Sequence, residues 1–212
     1  MNNALTDQNV KKVELLKGEY EIPELSTRTL TIVGAESGVS VKLIPTASNT
    51  NEFEGSTLNF NNVTLEGTEY SGNTHGFKGA LNENYTNCVF KNYHMFAGQN
   101  VEVIDCKFVT EGQYIWTGYA ENISFVNCEF IGKDRAVKVL SVVQNGTTTR
   151  TVSFKKCNFF AAQNNKAVLE GASGTATAKD NYIINIEDCT MNGAFDKWFN
   201  AENNADKYTV NK

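Results

Sequence analysis

A cysteine recurs five times in this chain, and each copy lies in the same short pattern of apolar and small polar residues. The third copy is FVNCEF at residues 125–130. With each cysteine taken as position 0, a large apolar residue follows at position +2; the five pairs are Cys88 and Phe90, Cys106 and Phe108, Cys128 and Phe130, Cys157 and Phe159, and Cys189 and Met191. Self-similarity at intervals of 18 to 32 residues is typical of repeat architectures, in which each copy stacks on its neighbour.

The spacing inside each copy places a sharp corner just before the cysteine. Apolar residues at positions −5 and −3 share one strand face, as do those at 0 and +2, but −3 and 0 are an odd number of residues apart. A single flat strand therefore cannot point all four inward. The residues at position −1 are Asn62, Asn87, Asp105, Asn127, Lys156 and Asp188. Since Asn and Asp tolerate the left-handed backbone region, we predict a strand, a corner and a second strand in each repeat, with Lys156 as a less favourable corner.

A third apolar segment follows each of the later corners after a loop of variable length. These segments are HMFAG at 94–98, YIWTG at 114–118, AVKVL at 136–140 and KAVLEG at 166–171. Three short strands per repeat predict an all-β, single-stranded parallel β-helix, in which successive coils stack at about 4.8 Å. The six-residue period of the left-handed form is absent, so we expect a right-handed helix of about seven to eight coils.

The length of 212 residues fits one domain spanning residues 1–212, and it is sufficient to bury a sizeable core. A stack of repeats must cover its first and last coil. We therefore expect residues 1–22 to form an N-terminal cap or initial coil, residues 23–195 to form the repeat coils, and residues 196–212 to form a C-terminal cap or linker.

Several of these segments resemble the pectin-lyase-like superfamily of right-handed parallel β-helices, and more narrowly the β-helical repeat modules of gut bacterial surface proteins. The resemblance is carried by the Asn/Asp-Cys-x-Phe corners, by residues 114–130 and 134–146, and by the opening segment 11–35. It implies a right-handed parallel β-helix and an extracellular or cell-surface location, as a module of a longer exported chain. It leaves the activity open, because this superfamily includes lyases, hydrolases, adhesins and phage tailspikes.

The cysteines are candidates for a metal site, a disulfide or a thiol relay, but their pattern favours packing. No two of them are as close as in a Cys-x-x-Cys pair, and the only histidines are His75 and His94, so the usual ligand spacings are missing. An earlier copy carries Val63 in the cysteine slot, and valine can only pack. We therefore expect the cysteines to act as small core residues, with no metal and no cofactor.

Charged side chains provide the candidates for catalysis. A β-helical lyase needs a Lys or Arg base, and a hydrolase needs paired carboxylates on neighbouring coils. Asp105 and Asp188 are explained as corner residues, and the basic segment with Lys133, Arg135 and Lys138 is either a solvated loop or part of a site. The sequence predicts no catalytic residue. A polysaccharide lyase or glycoside hydrolase is the main alternative, and a trimeric phage tailspike-like fragment is another.

Aromatic residues in and after the third segments are the candidate binding residues. They are Tyr93, His94, Tyr114, Trp116 and Tyr119, with Lys138 beside them. If they point outward, stacking places them on one lateral face, where flat rings with polar edges suit sugar rings and protein partners. If they point inward, several of them form an aromatic stack in the core. The sequence leaves this open because the preceding loops differ in length, and only Tyr119 is expected to be exposed in either register.

Two long segments at 143–150 and 171–181 lengthen the same side of consecutive repeats and are rich in Thr, Gly and Asn. Loops on a rigid scaffold are frequent sites of function. These segments are therefore either binding loops or slack solvent loops.

The charge and hydropathy of the chain narrow the range of partners. The net charge of −5 argues against a nucleic-acid interface, and no apolar run is long enough for a membrane span. Together with the resemblance, these features predict a monomeric, non-catalytic surface module for adhesion, glycan or protein binding, or spacing. Its partner is then a glycan or a host or bacterial surface protein.

Overall fold

The computed structural model describes residues 7–22, 28–42, 53–67, 76–110, 114–133 and 135–212, and this part of the chain is built almost entirely from β-strands. Apart from a 3₁₀ turn at Ala205–Lys207, it contains no helix. Every strand pairing within it is parallel. The predicted all-β class with parallel sheets is confirmed, and the arrangement fits a β-helix-like fold.

Most of the strands are short, and they occur where the repeats predict them. In chain order they are β1 (Lys12–Leu15), β2 (Glu19–Glu21), β3 (Thr29–Gly34), β4 (Ser40–Lys42), β5 (Thr57–Asn61), β6 (Thr64–Glu66), β7 (Asn82–Thr86), β8 (Val89–Lys91), β9 (His94–Met95), β10 (Asn100–Ile104), β11 (Lys107–Thr110), β12 (Ile115–Trp116), β13 (Asn122–Val126), β14 (Glu129–Gly132), β15 (Val137–Lys138), β16 (Thr149–Lys155), β17 (Asn158–Glu170), β18 (Asn181–Glu187), β19 (Thr190–Asn200) and β20 (Tyr208–Asn211).

The strands before the corners form one parallel sheet, and the strands after them form a second. The first sheet has the order β1-β3-β5-β7-β10-β13-β16-β18-β20, and the second begins β2-β4-β6-β8-β11-β14-β17. The second sheet continues along the other half of β17 through β15, β12 and β9, which are the predicted third strands, and β19 also pairs with β17. Equivalent residues of neighbouring repeats lie side by side, as Val103 does with Phe125 and Phe108 with Phe130.

The predicted corners are present just before the cysteine slot. The φ angles of Asn62, Asn87, Asp105, Asn127, Lys156 and Asp188 lie between 52° and 55°, in the left-handed region. A corner side chain can also link neighbouring repeats, since the Asn127 Nδ2 atom donates to Asp105 Oδ1 at 2.6 Å. Lys156 adopts the same backbone angle without an amide or carboxylate, so it carries the conformational cost of this region for a long side chain.

Stacked phenylalanine rings fill the interior at position +2. The rings of Phe90, Phe108, Phe130 and Phe159 follow one another with centres 4.5, 4.5 and 4.6 Å apart. The cysteines of the same four repeats are buried beside them, and all five thiols are free. The cysteine slot is therefore a packing position, as predicted, and Cys189 in the last copy is half-buried.

Both terminal segments take part in the sheets where they are described. At the N-terminal side, β1 and β2 pair with β3 and β4, while residues 1–6 of the predicted cap lie outside the described residues. At the other end, the boundary predicted at residue 195 falls inside β19, and β20 pairs with β18. Residues 196–212 therefore extend the sheets.

Within the described ranges, no helix is long and apolar enough to cross a membrane.

Candidate functional site

Strand pairing fixes which residues of the third strands face the core. The first row of equivalent residues, His94, Ile115, Val137 and Leu169, is buried. The row one residue later consists of Met95, Trp116, Lys138 and Glu170. In this second row Met95 is covered, whereas Trp116, Lys138 and Glu170 are half-buried. The orientation that the sequence left open is thus inward for His94 and outward for Trp116 and Lys138.

Tyr93 and His94 are buried, so two of the predicted binding residues cannot contact a ligand at the surface. Tyr93 is 1% exposed and His94 is 2% exposed. The His94 ring packs edge-on against Phe90 and Phe96, with ring centres 4.8 and 4.7 Å apart, in the slot that Ile115 fills one repeat later. Its Nε2 atom has no hydrogen-bond partner among the described residues, and burial lowers its pKa to about 3. His94 is therefore a neutral core residue.

Trp116 and Lys138 meet on the outer side of the third strands, at the centre of a mixed aromatic and charged cluster. The Lys138 Nζ atom lies 5.2 Å from the Trp116 ring centre and 5.9 Å from that of Tyr114. The Arg135 guanidinium lies 4.5 Å from the Tyr114 ring centre and forms an ion pair with Glu170. These five residues, Tyr114, Trp116, Arg135, Lys138 and Glu170, are named the Trp116 patch.

Both aromatic rings of the Trp116 patch are held in place from the protein side. The Trp116 Nε1 atom donates a hydrogen bond to the Leu140 carbonyl at 2.6 Å, which fixes the tilt of the indole. The Tyr114 ring meets the buried Tyr93 ring edge-on, with centres 5.8 Å apart. Tyr93 therefore supports the patch from below, although it does not reach the surface.

The charged groups of the Trp116 patch differ in their hydrogen-bond partners. Burial, with the repulsion of Arg135, lowers the pKa of Lys138. Burial opposes the ionisation of Glu170, but hydrogen bonds from Arg135 and Ser173 outweigh it and hold the pKa of Glu170 below its ordinary value. The Ser173 hydroxyl donates to Glu170 Oε1 at 2.6 Å. In the described part of the chain, the ammonium group of Lys138 makes no hydrogen bond or ion pair, and it contacts the two rings.

Tyr119 lines a different surface feature, a groove of about 520 Å³. The other polar side chains that line this groove are those of Glu54, Lys78, Gln99 and Glu121. The Lys78 Nζ atom lies 5.4 Å from the Tyr119 ring centre, and Gln99 Nε2 donates to Glu121 Oε2 at 3.1 Å. Tyr119 is half-buried, and no residue of the Trp116 patch lines the groove. The predicted aromatic residues are therefore divided between two surface features and the core.

A buried ion pair joins the two long loops at 143–150 and 171–181. They are therefore held together and are not independent solvent loops. The Arg150 Nε atom donates to Asp180 Oδ2 at 2.9 Å, and the two side chains are 8% and 0% exposed. The other oxygen of Asp180 accepts hydrogen bonds from the backbone N–H groups of Asn145 and Gly146 at 3.1 and 2.8 Å. The buried carboxylate of the second loop thus has its partners in the first loop and on β16.

The same network reaches the backbone beside the Tyr119 groove. The Arg150 Nη1 atom donates to the carbonyl oxygens of Tyr119 and Ala120 at 3.2 and 3.0 Å. Gln144 adds a further link between the loops, because its Nε2 atom donates to the Thr177 carbonyl at 3.0 Å. The sequence indicates that Arg150 occupies an inward position of a strand, but it does not indicate which groups bind its guanidinium.

Glu83 is a buried carboxylate that is not among the candidate residues predicted from the sequence. It occupies position −5, where the neighbouring repeat has Val101, and it is 0% exposed. Its oxygens accept hydrogen bonds from the Tyr85 hydroxyl at 2.8 Å and from the Gly98 N–H at 2.5 Å. Burial raises the pKa of Glu83 to about 7, although these hydrogen bonds oppose the shift. An acidic residue in an inward slot is the sequence signal that marks it.

The metal-ligating and thiol groups of the described residues differ in character from the Trp116 patch. The described residues contain no group of three or more His, Cys, Asp or Glu side chains placed to hold a metal ion, and His75 lies outside them. A hydrogen bond with Cys128, together with burial, raises the pKa of Cys157 to about 12 against the opposing bond with Cys189, so this thiol stays protonated at neutral pH. The same bond lowers the pKa of Cys128, its partner in the buried ladder. The Trp116 patch, in contrast, offers flat rings for stacking and charged groups for hydrogen bonds.

Comparison with known proteins does not place the chain in a family. No protein-family model, no curated protein and no solved structure matches it. The sheet architecture and the geometry of the Trp116 patch are therefore the basis for functional inference.

Proposed function

We propose that this chain is a non-catalytic surface module that binds glycans through the Trp116 patch. Its fold is a right-handed parallel β-helix of about seven to eight coils, as the resemblance to the pectin-lyase-like superfamily implies. It acts at a cell surface, where a rigid stack of coils presents the patch to its ligand. The parallel sheets and the in-register pairing of successive repeats support this fold.

The observation that carries the proposal is the half-buried Trp116 ring on the outer side of the third strands. It lies in register with Lys138, which in turn lies in register with Glu170. Aromatic faces pack well against the apolar faces of sugar rings, while charged and polar neighbours bond to the hydroxyl groups. Because the Leu140 carbonyl already fixes the indole, little side-chain entropy is lost when a ligand stacks on it.

A glycan array followed by calorimetric titration of the strongest ligands tests this proposal. The Trp116→Ala variant should bind at least about ten-fold more weakly, because a buried aromatic contact is among the largest contributions to such an interface. Phe160→Ala is the matched control, since Phe160 is an aromatic residue 44% exposed on β17 and is not part of the patch. Both variants should keep the melting temperature of the parent protein within a few degrees.

Other outcomes identify other functions. Loss of binding in Tyr119→Ala, with no change in Trp116→Ala, would move the site to the groove. Binding to no glycan would overturn the proposal and leave a spacer or a protein adhesin. Release of ultraviolet-absorbing unsaturated products from acidic polysaccharides would show a lyase, and sedimentation as a trimer would favour a tailspike-like fragment.

A further inference from the structure

We infer that the Trp116 patch selects glycans that carry a carboxylate, and that the ammonium group of Lys138 is the contact for that carboxylate. The inference rests on the proposed function, because it names the ligand class of the same site. It is drawn from three features of the patch: an ammonium without a hydrogen-bond acceptor, a neighbouring carboxylate that already has its partners, and two rings that border the ammonium.

The first feature is that no acceptor on the described part of the protein bonds to the ammonium of Lys138. The side chain is half-buried between the Trp116 and Tyr114 rings, yet no oxygen of the described residues accepts a hydrogen bond from its Nζ atom. An ammonium has three donors and is strongly hydrated. Partial removal of that water without a replacement acceptor is costly, and a ligand carboxylate at this position would supply the acceptor and the opposite charge.

The second feature is the commitment of Glu170 to other groups. Glu170 follows Lys138 in the same row of the third strands, so it is the acidic residue placed to neutralise this lysine. Its carboxylate instead pairs with Arg135 and accepts a hydrogen bond from Ser173. The patch thus contains two cations and one carboxylate. Glu170 attracts Lys138 electrostatically, but its hydrogen bonds go to Arg135 and Ser173, so the patch keeps one net positive charge and the ammonium of Lys138 keeps its donors for a ligand.

The third feature is the position of the two rings relative to this charge. The Trp116 and Tyr114 ring centres lie 5.2 and 5.9 Å from Lys138 Nζ. A sugar ring stacked on either aromatic face therefore brings a carboxylate on that sugar within a few ångströms of the ammonium. The chain as a whole has a net charge of −5 and repels anionic ligands at long range, so the contact acts at short range and within the Debye length of about 8 Å at physiological salt.

The decisive measurement compares matched acidic and neutral sugars by isothermal titration calorimetry on the full chain. The probes are sialyllactose against lactose, and a galacturonate trisaccharide against the neutral galactose trisaccharide; these two pairs distinguish a sialic acid from a uronic acid as the source of the carboxylate. At least one acidic probe should bind about ten-fold or more tightly than its neutral partner, which corresponds to one charge-assisted hydrogen bond. Lys138→Gln should abolish that preference, and Lys138→Arg should restore most of it.

Lys133 provides a matched control, because it is an exposed lysine that precedes Lys138 in the same segment and lies outside the patch. Lys133→Gln removes the same charge and should leave the acidic preference unchanged. If acidic and neutral probes bind alike, or if Lys138→Gln weakens both equally, the inference is wrong while glycan binding stands. If a hexaglutamate peptide binds as tightly as the acidic sugars and depends on Lys138 in the same way, the ligand class is wrong. If no sugar of either kind binds to the parent protein, the proposed function fails as well.

Discussion

One carboxylate oxygen of Asp180 lies 2.9 Å from the Nε atom of Arg150, in a site where neither side chain is more than 8% exposed. Removal of this carboxylate leaves a guanidinium without its counter-charge. We expect Asp180→Ala to lower the free energy of unfolding by about 3–5 kcal/mol, measured by urea denaturation. The double variant Arg150→Met/Asp180→Ala should cost less than the sum of the single changes, because no unpaired charge then remains.

The exposed pair of Lys155 and Glu187 is the control for this experiment. Its N–O distance of 2.7 Å is also short, but its side chains are 48% and 59% exposed. Because solvent screens such a pair, Glu187→Ala should leave the urea midpoint nearly unchanged. An equally small effect of Asp180→Ala would show that other contacts hold the two loops.

Lys156 occupies a left-handed corner, with a φ of 55°, where the other repeats have Asn or Asp. Asparagine is among the few residues that adopt this region readily. Lys156→Asn should therefore raise the free energy of unfolding by about 1 kcal/mol, seen as a higher urea midpoint. Lys133→Asn is the control, since this lysine is also exposed but its φ is not positive. A stabilisation of the same size in both variants would trace the effect to charge.

The cysteine slot can be tested by exchange for the residue that an earlier repeat already carries. Cys128 is buried and free, and Val63, which is also buried, fills the equivalent position of an earlier repeat. Cys128→Val should change the free energy of unfolding by less than about 1.5 kcal/mol. Phe130→Ala, two residues later in the ring stack, should cost about 3–5 kcal/mol because it opens a cavity. Loss of ligand binding in Cys128→Val, at an unchanged melting temperature, would give the thiol a role beyond packing.

Much of the fold is predictable because the same pattern of inward and corner residues recurs in each copy of the repeat. The odd step between positions −3 and 0 requires a corner, and the Asn and Asp residues at −1 supply one; Asn127 and Asp105 adopt it with nearly equal φ angles of 53° and 54°. Because Val63 occupies the cysteine slot of an earlier repeat, the sequence alone predicts that this slot has a packing role and no chemical one. Each of these conclusions depends on residues close together in the chain.

The candidate site is less predictable because it depends on pairings between distant residues. Whether His94 or Met95 faces the core is decided by pairing with Ile115 and Trp116, across loops of unequal length. The partner of Arg150 lies 30 residues further on, and Glu83 meets the Gly98 N–H group 15 residues away. The sequence predicts that Arg150 and Glu83 occupy inward positions, but only the fold shows which groups form hydrogen bonds with them.

Glu83 makes the stability of the chain depend on pH. Burial raises its pKa to about 7 from an ordinary value of 4.5, so the folded protein holds a proton that the unfolded chain releases between these two values. The stabilising contribution of protonated Glu83 is complete below pH 4.5 and is lost as the pH rises through 7. The loss corresponds to about 3 kcal/mol. His94 acts in the opposite sense, because burial lowers its pKa from 6.5 to about 3, so the unfolded chain takes up a proton below pH 6.5 that the folded protein does not. This contribution is the same in the parent and in a Glu83 variant, so it cancels when the two are compared.

Comparison of the parent protein with Glu83→Gln isolates this contribution, since glutamine keeps the size of the side chain and cannot ionise. Urea denaturation between pH 5 and pH 8 should show the variant gaining about 2.5 kcal/mol relative to the parent as the pH rises. Glu102→Gln is the matched control, because Glu102 lies on the exposed face of the same sheet and is solvated in both states. A difference between parent and Glu83→Gln that stays constant across this range would mean that Glu83 does not change its protonation on folding, and that the Gly98 and Tyr85 hydrogen bonds keep it ionised in the core.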